Sequence, residues 1–259
     1  MLAAPPGQPP AILSGTAAYD PALRMVLLAG GEPFGATNNN GTWAWNGTTW
    51  RELDANVNQP PVGGGEMAWD PALQEMVLVT QVSPTDDSAQ TWVWTENHWA
   101  SRGGASFSAN DFVLGYDASR GALLAFTCCG MLANGASAGT GTQIWRWDGT
   151  AWLEVATTLN APAAIQFGLN WDSTTRSLLL YGQNTFGSQI KGSLEPTFAW
   201  RLVGHQWTQV RALSSPQVLD GSIIDSANGA RLVGSTPFVG NSTPFHIWAW
   251  TGVGWKLLG

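Results

Sequence analysis

The chain has 259 residues, of which 44% are hydrophobic and only 11% charged, with a net charge of −7. That length suits one large all-β domain or two ordinary ones. The acidity, with Lys191 and Lys256 the only lysines, argues against a nucleic-acid partner, which needs basic patches. No run of eighteen apolar residues occurs, so no membrane-spanning helix is expected.

The N-terminal text MLAAPPGQPPAIL lacks the charged start and long apolar stretch of a signal peptide. Its continuation QPPAILSGTAAYD (8–20) resembles NQPPVGGGEMAWD (58–70), so it reads as an ordinary loop between repeats. The first element then runs TAAYDPALRMVLLAGG (16–31): a short strand closed by Asp20, a turn, and an apolar run. Asp at such a turn accepts hydrogen bonds from backbone N–H groups just ahead. After a polar loop comes TWAWNGTTWREL (42–53), with two aromatics spaced by one residue, an Asn-Gly turn and a further Trp. Aromatics two apart in a strand share one face.

The same order returns four times. EMAWDPALQEMVLVTQ (66–81) precedes TWVWTENHWASR (91–102), and VLGYDASRGALLAFTC (113–128) precedes IWRWDGTAWLEV (144–155). GLNWDSTTRSLLLYGQ (168–183) precedes FAWRLVGHQWTQV (198–210), and GSIIDSANGARLVGS (221–235) precedes IWAWTGVGWKLL (247–258). Trp45, Trp94, Trp147, Trp200 and Trp250 thus recur about every fifty residues, the period of a repeat architecture. Each repeat supplies four short antiparallel strands: a ends at Asp20, Asp70, Asp117, Asp172 or Asp225; b is the apolar run; c carries the aromatic pair; d carries the last Trp.

The order aromatic-Asp, turn, apolar run to Gly-Gly, long loop, Trp-x-Trp, turn, Trp resembles the kelch repeat in its Trp-rich bacterial form. The double glycine stands only at Gly30-Gly31, its counterparts being Thr80-Gln81, Thr127-Cys128, Gly182-Gln183 and Gly234-Ser235. The resemblance implies an all-β fold, a β-propeller of five blades of four antiparallel strands around a central channel, with residues 1–259 as one domain. The blades are expected at approximately 14–54, 64–102, 110–156, 164–211 and 218–259. Many rings close through an N-terminal strand, and here only AILSG offers one. A ring closed by five blades implies a monomer; the alternative is a segment of a larger ring. The resemblance also favours a place outside the cytoplasm.

All sixteen tryptophans fall at recurring positions, before the Asp or in strands c and d. A single ligand site would not repeat so evenly, so their expected role is packing between blades. An indole burying about 150–250 Å² contributes roughly 4–6 kcal/mol gross, as an upper bound. Tyr19, Tyr116 and Tyr181 also occupy repeat positions and are expected to pack, which disfavours copper chemistry.

Function is expected on the face carrying the long b–c and d–a loops, since loops on a rigid frame carry recognition. Glu66, Asp111, Gln166 and Asp220 lie where strand a would open onto the channel, and form a candidate site for a hard cation or polar ligand. Phe34, Phe186 and Phe238 are candidate loop aromatics for a glycan. Adjacent Cys128 and Cys129 allow two readings, a strained vicinal disulfide or two thiols, because consecutive Cα atoms lie about 3.8 Å apart, below the usual bridged range. No cofactor motif is evident, and no nucleophile elbow or phosphate loop occurs. The leading expectation is therefore a non-catalytic binding or scaffold module for a protein or glycan ligand. Two alternatives stand beside it: a glycan-directed hydrolase or lyase using carboxylates at the channel mouth, with Asp111 and Asp220 as the pair, and an architectural segment of a larger surface protein.

Overall fold

The computed structural model describes residues 7–9, 12–13, 15–30, 32–33, 41–54, 59–61, 65–83, 86–109, 112–127, 143–155, 165–183, 197–204, 206–210, 221–225, 230–235 and 246–257. After β1 (Ile12–Leu13), the first four-stranded sheet takes β2 (Thr16–Asp20), β3 (Met25–Ala29), β5 (Thr42–Trp45) and β6 (Trp50–Asp54). Between its second and third strands lies β4 (Glu32–Pro33), which pairs with β1. The N-terminal AILSG segment thus adds its strand within the first repeat. The second sheet is β7 (Gly65–Asp70), β8 (Glu75–Ser83), β9 (Asp86–Thr95) and β10 (His98–Ser108). The third is β11 (Phe112–Asp117), β12 (Ala122–Thr127), β13 (Gln143–Trp147) and β14 (Trp152–Val155). The fourth is β15 (Ile165–Asp172), β16 (Ser177–Gln183), β17 (Thr197–Val203) and β18 (Gln206–Val210). The fifth is β19 (Gly221–Asp225), β20 (Ala230–Ser235), β21 (His246–Trp250) and β22 (Trp255–Leu257).

In every sheet the strands follow chain order as neighbours, and each first strand ends on the repeat's aspartate. The turn chemistry explains why. Asp20 Oδ1 accepts the N–H groups of Ala22 and Leu23 at 2.8 and 3.0 Å, and Asp70 Oδ1 those of Ala72 and Leu73 at 2.9 and 3.3 Å. Asp117 does the same for Ser119 and Arg120, and Asp172 for Thr174 and Thr175. These carboxylates are buried, so the two bonds are what make their burial tolerable. Each turn closes four residues after the Asp on a left-handed residue: Arg24, Gln74, Gly121 or Arg176. The third and fourth strands are joined by a second cap in two repeats, Asn46 Oδ1 holding Thr48 and Thr49, and Asp148 Oδ1 holding Thr150 and Ala151.

The chain forms two compact units. The first comprises 1–116, 121–125 and 145–153, and contains two large hydrophobic clusters. One joins Leu27, Ala29 and Ala44 of the first sheet to Met67, Met76, Leu78, Trp92, Trp94 and Trp99 of the second. The other joins Val77, Val79 and Val93 of the second sheet to Leu114, Leu123, Ala125, Trp145, Trp147 and Trp152 of the third. The second sheet therefore has two apolar faces. Alternate residues of β8 serve opposite neighbours, and this is why its sequence reads as an unbroken apolar run.

Indoles tie these sheets together with hydrogen bonds as well as area. Trp99 Nε1 donates to Thr42 Oγ1 at 2.7 Å, and Trp152 Nε1 to Thr91 Oγ1 at 2.9 Å. Both acceptors immediately precede a Trp-x-Trp pair, and both donors are the fourth-strand Trp of the following sheet. Trp147 Nε1 reaches Glu75 Oε1 at 2.7 Å. Within this unit the second and third sheets are thus each shifted by one strand against the one before, the fourth strand meeting the third and, for the third sheet, the third strand meeting the second.

The second unit comprises 117–120, 126–144 and 154–259, and its described cross-sheet contacts use other partners. Trp250 Nε1 donates to the buried Asp172 Oδ2 at 2.9 Å, and Trp255 meets Tyr181 edge-on at 5.5 Å. Arg120 bonds both Asp117 and the carbonyl of Gly204, and Arg201 donates to the carbonyl of Gly252 at 3.0 Å. The expected packing role holds for Tyr116 and Tyr181, which join hydrophobic clusters. Tyr19 departs from it, being 55% exposed.

Candidate functional site

The end of the sheets that carries the b–c connections is where polar groups gather above the hydrophobic clusters. In the first unit the gaps between adjacent sheets are filled there by two different sets of side chains.

The gap between the first and second sheets is small-residue and polar at this end. Thr42 takes the Trp99 N–H and stands 3.3 Å from Gln59 Oε1, to which its hydroxyl donates. Opposite, Thr80 and Trp92 share a face of the second sheet: Leu78 pairs with Trp92 and Thr80 with Gln90, so the two are diagonal neighbours. Thr80 Oγ1 and Trp92 Nε1 are both buried without a hydrogen-bond partner among the described residues. Thr80 stands where the first repeat has Gly30. The extra side chain is accommodated by Gly65, directly opposite, where a Cβ would lie 3.1 Å from Thr80 Cγ2 and 2.6 Å from the Val79 oxygen.

The gap between the second and third sheets is aromatic. The second sheet's last strand runs on to Ser108 and carries Phe107 into the gap. Phe107 lies 5.6 Å from Phe112, 5.8 Å from Trp145 and 5.5 Å from Trp152, ring centre to ring centre. Trp145 Nε1 is buried without a partner among the described residues. Glu66 borders this cluster. It pairs with Val79, which pairs in turn with Thr91, so the three form one cross-strand row facing the third sheet. Glu66 is partly buried, and burial pushes its carboxyl up to about 7. Glu75, on the same face at the far end of the strands, is also raised by burial, though the Trp147 hydrogen bond opposes the rise.

Of the other expected site residues, Gln166 lies in β15 beside a register shift between Ile165 and Phe167, with its side chain outside the described residues. Asp111, Asp220, Phe34, Phe186, Phe238, Cys128 and Cys129 lie outside the described residues altogether. Among the described residues no three His, Cys, Asp or Glu side chains converge as a metal site would require. No helix is long and apolar enough to cross a membrane. Sequence reasoning singled out Glu66 and expected Trp92 and Trp145 as packing residues between blades, but missed Thr80 and Phe107. The departure of Thr80 from the double-glycine pattern was the one visible signal.

These features define an all-β protein of the β-propeller class, built of four-stranded antiparallel sheets. No protein-family model and no curated protein matches the chain. Solved structures do. A lectin of Aleuria aurantia in complex with Fucα1-6GlcNAc is similar over 91% of this chain and 74% of that one, with 14% identity and a TM-score of 0.57. A further structure of that fungal lectin, with 15% identity, 91% and 73% coverage and a TM-score of 0.54, is described as a six-bladed β-propeller with a novel fucose recognition mode. SapL1 lectin in complex with α-methyl fucoside is similar over 94% of this chain and 78% of that one, with 15% identity and a TM-score of 0.56. At such identities the likeness establishes the fold.

Proposed function

We propose that this protein is a non-catalytic glycan-binding propeller. On this reading it is a five-bladed, kelch-like ring that recognises its ligand through the face carrying the b–c and d–a loops. The observation that carries the reading is the combination of a propeller fold shared with sugar-binding lectins and a repeated frame whose indoles are consumed by packing. Recognition is then left to the loop-bearing end, where Glu66 and the uneven gaps lie, and where Asp111, Gln166, Asp220, Phe34, Phe186 and Phe238 are the remaining candidates. Binding of the purified chain to a glycan array, with saturable binding of at least one free sugar in solution, is the expected result. An array without hits, together with capture of a protein ligand, overturns it in favour of a protein-binding module. Size measurement in solution tests the five-bladed monomer.

A second reading, a glycan-directed hydrolase or lyase, draws on the Glu66 carboxyl, which holds its proton close to neutrality as a general acid must. It requires release of reducing sugar from a polysaccharide panel and loss of that release in Glu66→Gln. Release unchanged in that variant rules out Glu66 as the acid.

A further inference from the structure

The turns that join third and fourth strands in the first and third sheets are near copies, with an amide in one where the other has an acid. In the third sheet the turn is Asp148-Gly149-Thr150-Ala151. Asp148 Oδ1 accepts from the Thr150 N–H, the Thr150 hydroxyl and the Ala151 N–H, each at 2.8 Å. In the first sheet the turn is Asn46-Gly47-Thr48-Thr49. Asn46 Oδ1 accepts from the Thr48 N–H, the Thr48 hydroxyl and the Thr49 N–H, each at 2.9 Å, and the Thr49 hydroxyl adds a longer bond at 3.4 Å. The main chains agree as well. Asn46 N–H donates to the Thr49 carbonyl and Asp148 N–H to that of Ala151, and Gly47 and Gly149 have φ of 99° and 96°. Such a ring of donors suits a carboxylate: at Asp148 the N–H groups of Ala151 and Thr150, helped by the Thr150 hydroxyl, hold the acid below its ordinary range.

An asparagine before glycine carries its own nucleophile. The Gly47 nitrogen lies within the same chain as the Asn46 side-chain carbonyl carbon, and glycine adds no side chain to hinder ring closure. That nitrogen is unengaged, since the Gly47 N–H makes no hydrogen bond among the described residues. Asn46, Gly47, Thr48 and Thr49 are all exposed, and nothing lies within 4 Å of where a Gly47 Cβ would stand, so no packing resists the approach. The donors on Asn46 Oδ1 surround the atom that becomes an oxyanion when its carbon is attacked, which stabilises the developing charge. We infer that Asn46 is a self-modifying site that deamidates through Gly47, with the turn's own cap serving as the oxyanion hole. Hydroxide takes the proton from the Gly47 nitrogen, which bonds to Asn46 Cγ. The Cγ–Nδ2 bond breaks, and Nδ2 takes a proton from water and leaves as ammonia, giving a cyclic succinimide. Water then opens the ring. Attack at Cγ restores the ordinary main chain with an aspartate at position 46. Attack at the Asn46 main-chain carbonyl gives isoaspartate, with an extra methylene in the main chain. The first product reproduces the frame of Asp148, whereas the second lengthens a turn whose ends are set by the Trp45–Trp50 pairing. Either adds one negative charge to the chain.

The test is ageing of the purified full chain in mildly alkaline buffer, followed by peptide mass mapping and ion exchange. Mapping separates Asn46 from Asn40, Asn134 and Asn228, which also precede glycine and lie outside the described residues. The expected result is conversion of Asn46 to aspartate and isoaspartate at a rate that rises with pH. The aged aspartyl form is expected to elute with Asn46→Asp, which itself shows no further change at that position. Thr48→Val removes one hydroxyl donor and keeps both backbone bonds to Asn46 Oδ1, so the turn stays closed. It is expected to slow the conversion roughly three- to tenfold, the factor one hydrogen bond supplies. An Asn46 that stays intact in the folded chain while the urea-unfolded chain converts overturns the site. Conversion in Thr48→Val as fast as in the wild type, or faster, overturns the oxyanion role and makes the cap a lock instead.

Discussion

The two gaps flanking the second sheet are built by the same repeat and end differently. The first is closed at its polar end by Thr42, Gln59 and Thr80, the second by the rings of Phe107, Phe112, Trp145 and Trp152. Both keep the same tie, a fourth-strand indole donating to the threonine before the preceding sheet's Trp-x-Trp pair. The difference arises from a few residues outside the repeated positions. Extension of β10 to Ser108 brings Phe107 into the second gap, and the replacement of glycine by Thr80 puts a hydroxyl into the first. The frame is thus indifferent to what lies above it, and that freedom is what a recognition surface needs.

Removing the shared tie tests whether the gaps are energetically alike. Trp152→Ala is expected to cost about 3–5 kcal/mol in denaturant unfolding, through lost burial and a cavity among Trp147, Phe107 and Val79. Trp99→Ala is expected at the lower end of that range, because Trp94 is its one ring neighbour among the described contacts. Equal losses would erase the distinction between the aromatic gap and the polar one.

Glu66 separates the gaps by pH. Its folded-state carboxyl holds a proton up to about 7, whereas an unfolded one releases it near 4.5. Between those values the native state binds more protons than the unfolded state, so stability falls as pH rises and levels off above about 7. The shift corresponds to at most about 3 kcal/mol, less whatever its remaining solvent contact recovers. Glu66→Gln is expected to flatten that decline and to exceed the wild type in stability at pH 8. A decline of the same size in the variant would assign the pH dependence elsewhere.

Common to both gaps are the aspartate turns. Asp70→Ala removes the acceptor that holds the Ala72 and Leu73 N–H groups of an exposed turn and is expected to cost about 0.5–1.5 kcal/mol, measured by thermal or urea unfolding. The smallest effect probes the indole-to-threonine rule outside these gaps. In the second unit Ile144 stands where Thr42 and Thr91 stand, and the buried Trp207 Nε1 has no partner among the described residues. Ile144→Thr is expected to be about 0.5–1 kcal/mol more stable than the isosteric Ile144→Val. The reverse order would show that the tie does not extend to that pair.

Much of the frame was legible in the residues themselves. Asp20, Asp70, Asp117, Asp172 and Asp225 end their strands as the turn chemistry demanded, because an aspartate two residues ahead of an N–H needs no distant partner to act. The aromatic spacing placed each Trp-x-Trp pair on one face of its strand, because side-chain alternation is a local property. The site was less legible. Glu66 was visible as an acid near a strand start, but its raised proton affinity comes from burial, which only packing produces. Phe107 falls between the expected second and third blades yet packs between sheets, and Tyr19 sat at a packing position yet lies 55% exposed.

The sequence by itself determined the repeat, its four-strand grammar and the turns, since each depends on interactions spanning only a few residues. Tertiary structure alone decided which indole meets which threonine, which polar groups are left buried without partners, and how strongly Glu66 holds its proton. Those outcomes depend on the dielectric and the neighbours that one sheet presents to the next, and no short stretch of chain encodes them.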